Sequence, residues 1–227
     1  MTDHPTLFPS EPKTPAGSPL GYGPDVVIDA GFRSAERIRL DENSWIEHVH
    51  GWLDGHEHLM RLLMDTASWE QRSRWMYNRT VQEPRHTAEY PVIAEAPRTS
   101  CTASPTPCPP HYGRPYTRLW MNWYRDHNDG AGWHADRPQH KLVETVIPVL
   151  GLGATRRFLI KPDGSGRSTV IETRGGDLVV MGGRSQTDYK HCVPKQKTVA
   201  GPRLSLNFST EVNQSVPARA TSRLHHP

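Results

Sequence analysis

Two hydrophobic periods follow one another along the chain, a helical one in residues 41–65 and a strand-like one further on. In the first segment Trp45, Val49, Trp52 and Leu53 recur at the i, i+4, i+7 and i+8 spacing of one helix face. The pattern predicts a helical segment, interrupted or bent near its central glycine.

Four histidines lie at even spacings within this predicted helical segment, namely His48, His50, His56 and His58. Even spacings spread side chains around a helix instead of converging them on one face. We therefore predict that these histidines are solvated or act as helix caps, and that they do not form a metal cluster.

Short runs rich in aromatic and β-branched residues, cut by turns that contain glycine or proline, dominate the chain after residue 68, most clearly from residue 116 on. The runs are YTRLWMNWY (116–124), LVETVIPVL (142–150), TRRFLIK (155–161), STVIET (168–173), DLVVMGG (177–183), YKHCV (189–193) and RLSLNFST (203–210). Many short strands that follow helical segments predict an α+β protein built on a β-sandwich or a jelly roll.

The length of 227 residues suits one domain with flexible ends. Residues 1–25 and 213–227 are rich in proline, glycine, serine and other polar residues, so we expect a flexible lead and tail around a single domain at 26–212. No run approaches the ~20 apolar residues of a membrane helix. Three cysteines without framework spacing predict reduced thiols. We expect a cytoplasmic monomer that does not bind membranes.

The formal net charge of +3 and the pI near 8.8 are mildly basic. Such an excess permits a polyanionic partner without requiring one. A basic and aromatic stretch precedes the predicted barrel, and it contains Arg72, Arg74, Trp75, Tyr77, Arg79 and Arg85. It suits either a lid that faces nucleic acid or a solvated strand with core aromatics.

The sequence WHADR (133–137) places His134 and Asp136 on one face of an extended segment, because side chains alternate with period two. The third ligand of a metal must then come from another strand, and His191 is the best candidate. Two histidines and one carboxylate form the facial set of a non-haem Fe(II) site, with open positions for a cosubstrate and O₂. Alone, the pair also fits a turn histidine beside a capping aspartate.

Arg203 opens the strand that follows His191 in the chain, and an arginine buried there needs an anionic partner. A dicarboxylate such as 2-oxoglutarate supplies one through a bidentate contact. Asn122 and Tyr124 share a strand face and can donate hydrogen bonds to the same carboxylates. The alternative for Arg203 is a surface ion pair, and for Tyr124 an ordinary place in the core.

The ordered motifs NWY, WHADR, GLGATRRFLI, GDLVVMGG, HCVPK and GPRLSLNF resemble the AlkB family of Fe(II)/2-oxoglutarate dioxygenases. The resemblance covers about residues 80–210 and includes EPRHTAEY (83–90), which is similar to the nucleotide-recognition region of the family. It implies a double-stranded β-helix with its catalytic core at about 116–210. This fold agrees with the β-sandwich or jelly roll that the strand pattern predicts.

The resemblance implies a role for each matching position. The expected iron ligands are His134, Asp136 and His191; the expected cosubstrate residues are Asn122, Tyr124, Arg203, Ser205 and Asn207; the expected substrate residues are Arg85, Tyr90, Trp133, Trp75 and Tyr77. Arg157 and Phe158 match a position behind the metal. Two positions depart from the family: Ser209 stands where a second arginine is usual, and Ser205 where asparagine is common.

The function implied is oxidative dealkylation of N-alkylated bases, with Fe(II), 2-oxoglutarate and O₂. The expected partner is alkylated DNA, single-stranded or with the base flipped out, and RNA is the other nucleic-acid candidate. A 2-oxoglutarate oxygenase of small molecules or protein side chains is the alternative, which the weak charge and Ser209 leave open. A third hypothesis is a nucleic-acid binder that has lost turnover.

Overall fold

The computed structural model describes residues 26–76, 78–97, 110–136 and 144–210. Its strands are β1 (Val27–Ile28), β2 (Ala35–Arg39), β3 (Ser44–Val49), β4 (Leu53–Asp54), β5 (Ser73–Met76), β6 (Arg79–Gln82), β7 (His86–Tyr90), β8 (Arg118–Tyr124), β9 (Ala131–His134), β10 (Thr145–Gly153), β11 (Arg156–Pro162), β12 (Thr169–Thr173), β13 (Leu178–Gly183), β14 (Tyr189–Val193) and β15 (Arg203–Ser209). The helices are α1 (His56–Thr66) and α2 (Ser185–Asp188), with 3₁₀ turns at Ile93–Glu95 and Pro110–Tyr112.

Two antiparallel sheets form the body of the described fold. The larger has seven strands in the order β2-β3-β13-β10-β15-β8-β7, and the smaller has four in the order β12-β11-β14-β9. Three neighbouring pairs, β2–β3, β7–β8 and β11–β12, are consecutive in the chain, and the other neighbours are distant in it; this order confirms the predicted jelly roll. Two small pairs, β1 with β4 and β5 with β6, complete the described strands.

Helix α1 lies on the outer face of the seven-stranded sheet. Its buried Leu59 and Leu63 belong to the same core cluster as Leu150, Leu178 and Leu206 from β10, β13 and β15. A second buried cluster fills the space between the sheets, and it includes Ile147, Val149, Phe158, Ile160, Val179 and Met181. The central strands are therefore apolar on both faces, as expected for strands covered on both sides.

Polar residues occupy the inner faces of β8 and β15, which are adjacent strands of the seven-stranded sheet. In β15, Leu204, Leu206 and Phe208 join the outer core, whereas Arg203 and Ser205 alternate with them. The same alternation in β8 turns its asparagine and tyrosine inward. Since side chains alternate along a strand, one apolar face anchors these strands while the other supplies hydrogen-bonding groups.

The predicted helix over 41–65 is wrong for its first half. Residues 44–49 form β3, which pairs with β2 on one side and with β13 on the other. The helix begins only at His56, after Gly51 and Gly55, whose φ angles of 57° and 74° lie in the left-handed region that favours glycine. Pairing with β13, more than a hundred residues away, outweighed a helical spacing that was only local.

The prediction that the histidines do not converge is also wrong, because even spacing here puts His48 and His50 on one face. His48 is buried, whereas His50 is exposed as predicted. Their rings are 3.9 Å apart, and both lie with Asp177 in a group whose ligand atoms are within 4.8 Å of one another. Asp177 accepts hydrogen bonds from His48 Nε2 (2.9 Å) and from the backbone N–H groups of Gly51 (2.8 Å) and Arg174 (2.8 Å). This carboxylate therefore links the end of β3 to the start of β13.

We expect Asp177→Asn to lower the free energy of unfolding by about 1–3 kcal/mol, since a buried charged acceptor with three donors is lost. Burial alone raises the pKa of Asp177, but the bonds from His48, Gly51 and Arg174 hold it below its ordinary value. The stabilisation by the Asp177 carboxylate is complete above pH ~3.9, the pKa of an aspartate in the unfolded chain. It is lost as the pH falls through the lower pKa that Asp177 has in the folded protein.

Urea unfolding at several pH values between 7 and 3 measures this difference. The gap between wild type and variant should narrow at acid pH, while Asp65→Asn, an exposed change on α1, should leave stability nearly unchanged. A gap that stays constant with pH would show that the charge of Asp177 does not contribute.

Several predictions from the sequence fall outside the described residues. They are the flexible lead and tail, Tyr77, and two of the three cysteines predicted to be reduced, Cys101 and Cys108. No helix in the described part of the chain is long and apolar enough to cross a membrane.

Candidate active site

His134, Asp136 and His191 come together where β9 pairs with β14. His134 is the last residue of β9 and lies opposite His191 in the register of the two strands. The Nε2 atoms of His134 and His191 lie 3.7 Å and 3.5 Å from Asp136 Oδ1. One ligand atom from each residue lies within 4.8 Å of the other two, which suits three donors around one metal ion.

The protonation of this triad suits metal binding. His134 Nδ1 donates a hydrogen bond to the carbonyl of Gly132 (2.7 Å), which leaves Nε2 as the free donor atom. Burial, and then the neighbouring His191, lower the pKa of His134, so its ring is neutral near pH 7. Burial raises the pKa of Asp136, but the charge and hydrogen bond of His191 lower it below its ordinary value. Metal binding requires these forms.

Two buried polar atoms of the triad hydrogen-bond to no group in the described residues, Asp136 Oδ2 and His191 Nδ1. Buried polar atoms are normally paired, so unpaired ones indicate a missing partner. A divalent cation beside Asp136 supplies such a partner for the carboxylate. The two-histidine, one-carboxylate donor set therefore fits Fe(II).

The triad has supports that sequence reasoning missed. The backbone N–H of Asp136 donates to Oε1 of Gln186 in α2 (2.8 Å), and the ring of Phe158 stacks on His191 at 5.4 Å and 24°. Phe158, for which the resemblance implies a place behind the metal, contacts His191 and lines the same cavity as the triad. Nothing in the sequence distinguished Gln186, because its segment reads as an ordinary turn.

Two arginines precede Phe158 in β11. Arg156 is buried and has a structural role, whereas Arg157 is exposed. Arg156 is fully buried and donates to the carbonyls of Asp126 (3.0 Å), Asp129 (2.7 Å) and Pro194 (2.8 Å). These bonds tie the turn before β9 to the end of β14, so Arg156 holds together the two strands that carry the triad histidines.

Arg203 is buried at the inner end of the same cavity, with 4% of its surface exposed. Its Nη1 donates to the carbonyls of Ala154 (3.2 Å) and Thr173 (3.1 Å), while Nε has no partner among the described residues. A Cβ at Gly151 would overlap the guanidinium, so this glycine makes room for it. Burial lowers the pKa of Arg203 to about 10, and it remains cationic at pH 7. The arginine is not in a surface ion pair.

The other expected cosubstrate residues surround Arg203 on β8 and β15. Tyr124 and Ser205 are buried there, with Tyr124 opposite Arg203 and Asn122 opposite Ser205 in the strand register. Asn122 Nδ2 donates to Ser205 Oγ (3.1 Å). Burial raises the pKa of Tyr124, so its hydroxyl keeps its proton and can donate. Asn207 instead donates to the carbonyl of Trp120 (2.9 Å).

A cavity of about 970 Å³ connects the triad with Arg203 and Asn122. Three of the expected substrate residues, Arg85, Tyr90 and Trp133, also line it. Trp75 does not, because it lies on the β5–β6 hairpin with 72% of its surface exposed.

Two tryptophans with cations over their rings stand at this cavity. Trp133, next to the first triad residue, is 42% exposed and has Lys161 Nζ at 4.7 Å from its ring centre. Arg72 lies 4.5 Å over the ring of Trp120, and both residues line the cavity. The arrangement offers flat apolar surface and positive charge together.

The fold and the site together define a member of the 2OG-Fe(II) oxygenase superfamily, whose model matches residues 34–209. The chain is 30% identical to the mouse alpha-ketoglutarate-dependent dioxygenase alkB homolog 3, over 85% of this chain and 68% of the mouse protein. It is 29% identical to the human homolog 3, over 67% of this chain and 60% of that protein. The mouse DNA oxidative demethylase ALKBH2 is 29% identical over 42% of this chain and 44% of its own.

The chain belongs to the AlkB family of this superfamily. Its cofactors are therefore Fe(II), 2-oxoglutarate and O₂, and the donor set of the described site fits them. The chain spans about three fifths of the length of the human and bovine homologs 3 that it matches.

Proposed function

We propose that this protein removes alkyl groups from N-alkylated bases of DNA by oxidation that depends on Fe(II) and 2-oxoglutarate. The observation that carries the proposal is one cavity that joins the His134–Asp136–His191 triad to the buried Arg203 and opens beside exposed Trp133. The printed names of the relatives, alkB homolog 3 dioxygenase and DNA oxidative demethylase, support the substrate class.

The bound metal and cosubstrate supply the oxidising chemistry, in which 2-oxoglutarate and O₂ become succinate and CO₂ and the alkyl carbon leaves as an aldehyde. His134, Asp136 and His191 would hold the metal. Arg203 would bind a carboxylate of the cosubstrate by charge-assisted hydrogen bonds, and Tyr124 would donate a hydrogen bond from its hydroxyl beside it. The ring of Phe158 packs against His191 and keeps that part of the wall apolar.

The rim of the cavity suits a nucleobase. Trp133 beside the triad offers a ring on which a base can stack, and such stacking contributes ~1–3 kcal/mol per base. Lys161 and Arg72 carry positive charge next to the two tryptophans, where phosphates of the strand can be bound. A base within a duplex does not reach the triad, so the substrate is single-stranded or has its base flipped out.

A turnover assay with the wild-type protein tests this function. Protein prepared anaerobically with Fe(II) and 2-oxoglutarate receives oxygen together with a single-stranded oligonucleotide that carries N-methylated bases. We expect succinate and formaldehyde to rise in equal amounts, and the unmethylated oligonucleotide of the same sequence to release no formaldehyde. The matching RNA oligonucleotide distinguishes between the two nucleic acids.

Other outcomes separate the alternatives. Succinate without formaldehyde would keep the oxygenase and replace the substrate with a small molecule or a protein side chain. Binding of nucleic acid that weakens steeply with salt, without any succinate, would indicate a binding protein that has lost turnover.

A further inference from the structure

Ser209 is an uncharged residue at a position of β15 where the resemblance implies a second arginine. It lies six residues after Arg203, on the same face of the strand, and also lines the cavity. A cosubstrate with two carboxylates retains a second negative charge after Arg203 has paired with the first. Four other cationic side chains line the cavity, Arg72, Arg85, Arg118 and Lys190.

We propose that Arg85 takes over this role, reaching the cosubstrate site from the segment before β7 and positioning Asn122 for it. Arg85 is buried, and its Nε donates to Asn122 Oδ1 at 3.0 Å. Trp120 Nε1 donates to the same oxygen (3.0 Å), so the amide of Asn122 has one orientation. Its Nδ2 then faces Ser205 and the cosubstrate residues of β15.

The contacts of Arg85 leave it able to bind an additional anion. Nε donates to Asn122 Oδ1, Nη1 donates to the carbonyl of Gly130 (3.4 Å), and Nη2 forms an ion pair with Glu83 Oε2 (2.9 Å). A guanidinium carries five N–H donors, so these bonds do not exhaust it. Glu83 keeps the buried charge compensated in the absence of an anion, which explains how Arg85 is tolerated there.

Arg85 shares one cavity with both ends of the site. The triad residue His134 and the buried Arg203 line the same space as Arg85. The guanidinium of Arg85 is therefore part of the wall that encloses the cosubstrate position.

The other cavity cations form ion pairs that are more exposed to solvent than the pair of Arg85 with Glu83. Arg72 pairs with Glu70 and Glu89, and Lys190 pairs with Asp163. Arg118 lies opposite Ser209 in the strand register, but its guanidinium is 3.7 Å from Glu89. Arg118 is the competing candidate for the role, and the experiment has to separate it from Arg85.

The test is the affinity for 2-oxoglutarate, measured without oxygen by titrating the Fe(II)-loaded protein and following the charge-transfer absorbance of the complex. We expect Arg85→Gln to weaken this affinity by about tenfold to thirtyfold, the effect of one charged hydrogen bond. Arg118→Gln is the same substitution at another cavity-lining arginine, and its affinity for 2-oxoglutarate should stay within about twofold of the wild-type value.

Rescue makes the assignment specific. Ser209→Arg in the Arg85→Gln background should return the affinity to within about threefold of wild type, and should strengthen it less in the wild-type background. This non-additivity is expected when two groups serve one charge. The single Ser209→Arg variant also tests the proposal if Arg85→Gln folds poorly, because a gain above tenfold in wild type would mean that the role was vacant.

The inference rests on the cosubstrate of the proposed function and not on its nucleic-acid substrate. Unchanged affinity in Arg85→Gln, or a larger loss in Arg118→Gln, would overturn it while leaving the proposed function intact. Wild-type protein that binds no 2-oxoglutarate would overturn both. A protein that binds it normally but dealkylates nothing would overturn only the proposed substrate.

Discussion

Asp136→Ala is expected to abolish metal-dependent turnover and to weaken Fe(II) binding by ~100-fold or more. Loss of a residue that only orients a metal ligand typically costs 10–100-fold, so loss of the ligand itself should exceed that range. The apoprotein should remain folded, because the contacts of the Asp136 carboxylate with His134 and His191 are long, at 3.7 and 3.5 Å, and its Oδ2 has no hydrogen-bond partner among the described residues. Its melting temperature should change by only a few degrees.

Equilibrium dialysis with Fe(II) under nitrogen measures the metal, and succinate formation measures turnover. His134→Ala should behave in the same way as Asp136→Ala, whereas His58→Ala, an exposed histidine on α1, should retain the wild-type values. Full activity in either triad variant would refute the assignment of the metal site.

Arg203→Gln carries the second largest expected effect, a loss of ~100-fold or more in affinity for 2-oxoglutarate. Two charge-assisted hydrogen bonds at ~1.5–3 kcal/mol each account for it. In wild type, cosubstrate at one hundred times its Kd should raise the melting temperature by roughly 5–10 °C, which follows from ~2.7 kcal/mol of linked stability. The variant should lose this rise.

Thermal unfolding with the inert metal Co(II), with and without 2-oxoglutarate, measures this effect without turnover. Arg37→Gln is the matched control, because this arginine pairs with Glu47 over Trp45 and does not line the cavity. A wild-type rise that persists in Arg203→Gln would show that the carboxylate is bound elsewhere.

Local patterns in the sequence predicted most of the strands of the two sheets. They also predicted which site residues share one face of a strand. Arg203, Ser205 and Asn207 alternate with three large apolar residues, and this pattern alone separates a core face from a polar face. The same reasoning places His134 and Asp136 on one side. The structure brings His191 to them because β14 pairs with β9.

The same kind of reasoning failed at residues 44–54. Helical and extended conformations both accommodate the spacing of Trp45, Val49 and Trp52, and the choice fell to pairing with β13. His48 and His50 were consequently assigned to the wrong geometry. A pattern of four apolar positions does not contain the information that a distant strand is available.

The supports of the site were also beyond sequence reasoning. Gln186 and Arg156 act through backbone groups of other segments, and such bonds leave no periodic signal along the chain. Arg85 is separated from Asn122 by 37 positions, and only the pairing of β7 with β8 brings them together.

The sequence by itself determined where the inner strands run, which of their faces is polar, and which residue types carry the chemistry. These properties follow from side-chain alternation and from the ligand preferences of Fe(II), both of which are local. Only the tertiary structure decided that residues 44–49 form a strand, that Gln186 and Arg156 hold the triad strands, and that Arg85 faces the cosubstrate residues. Those outcomes depend on which distant surfaces bury each other, and that free energy belongs to the assembled sheets and not to any one segment.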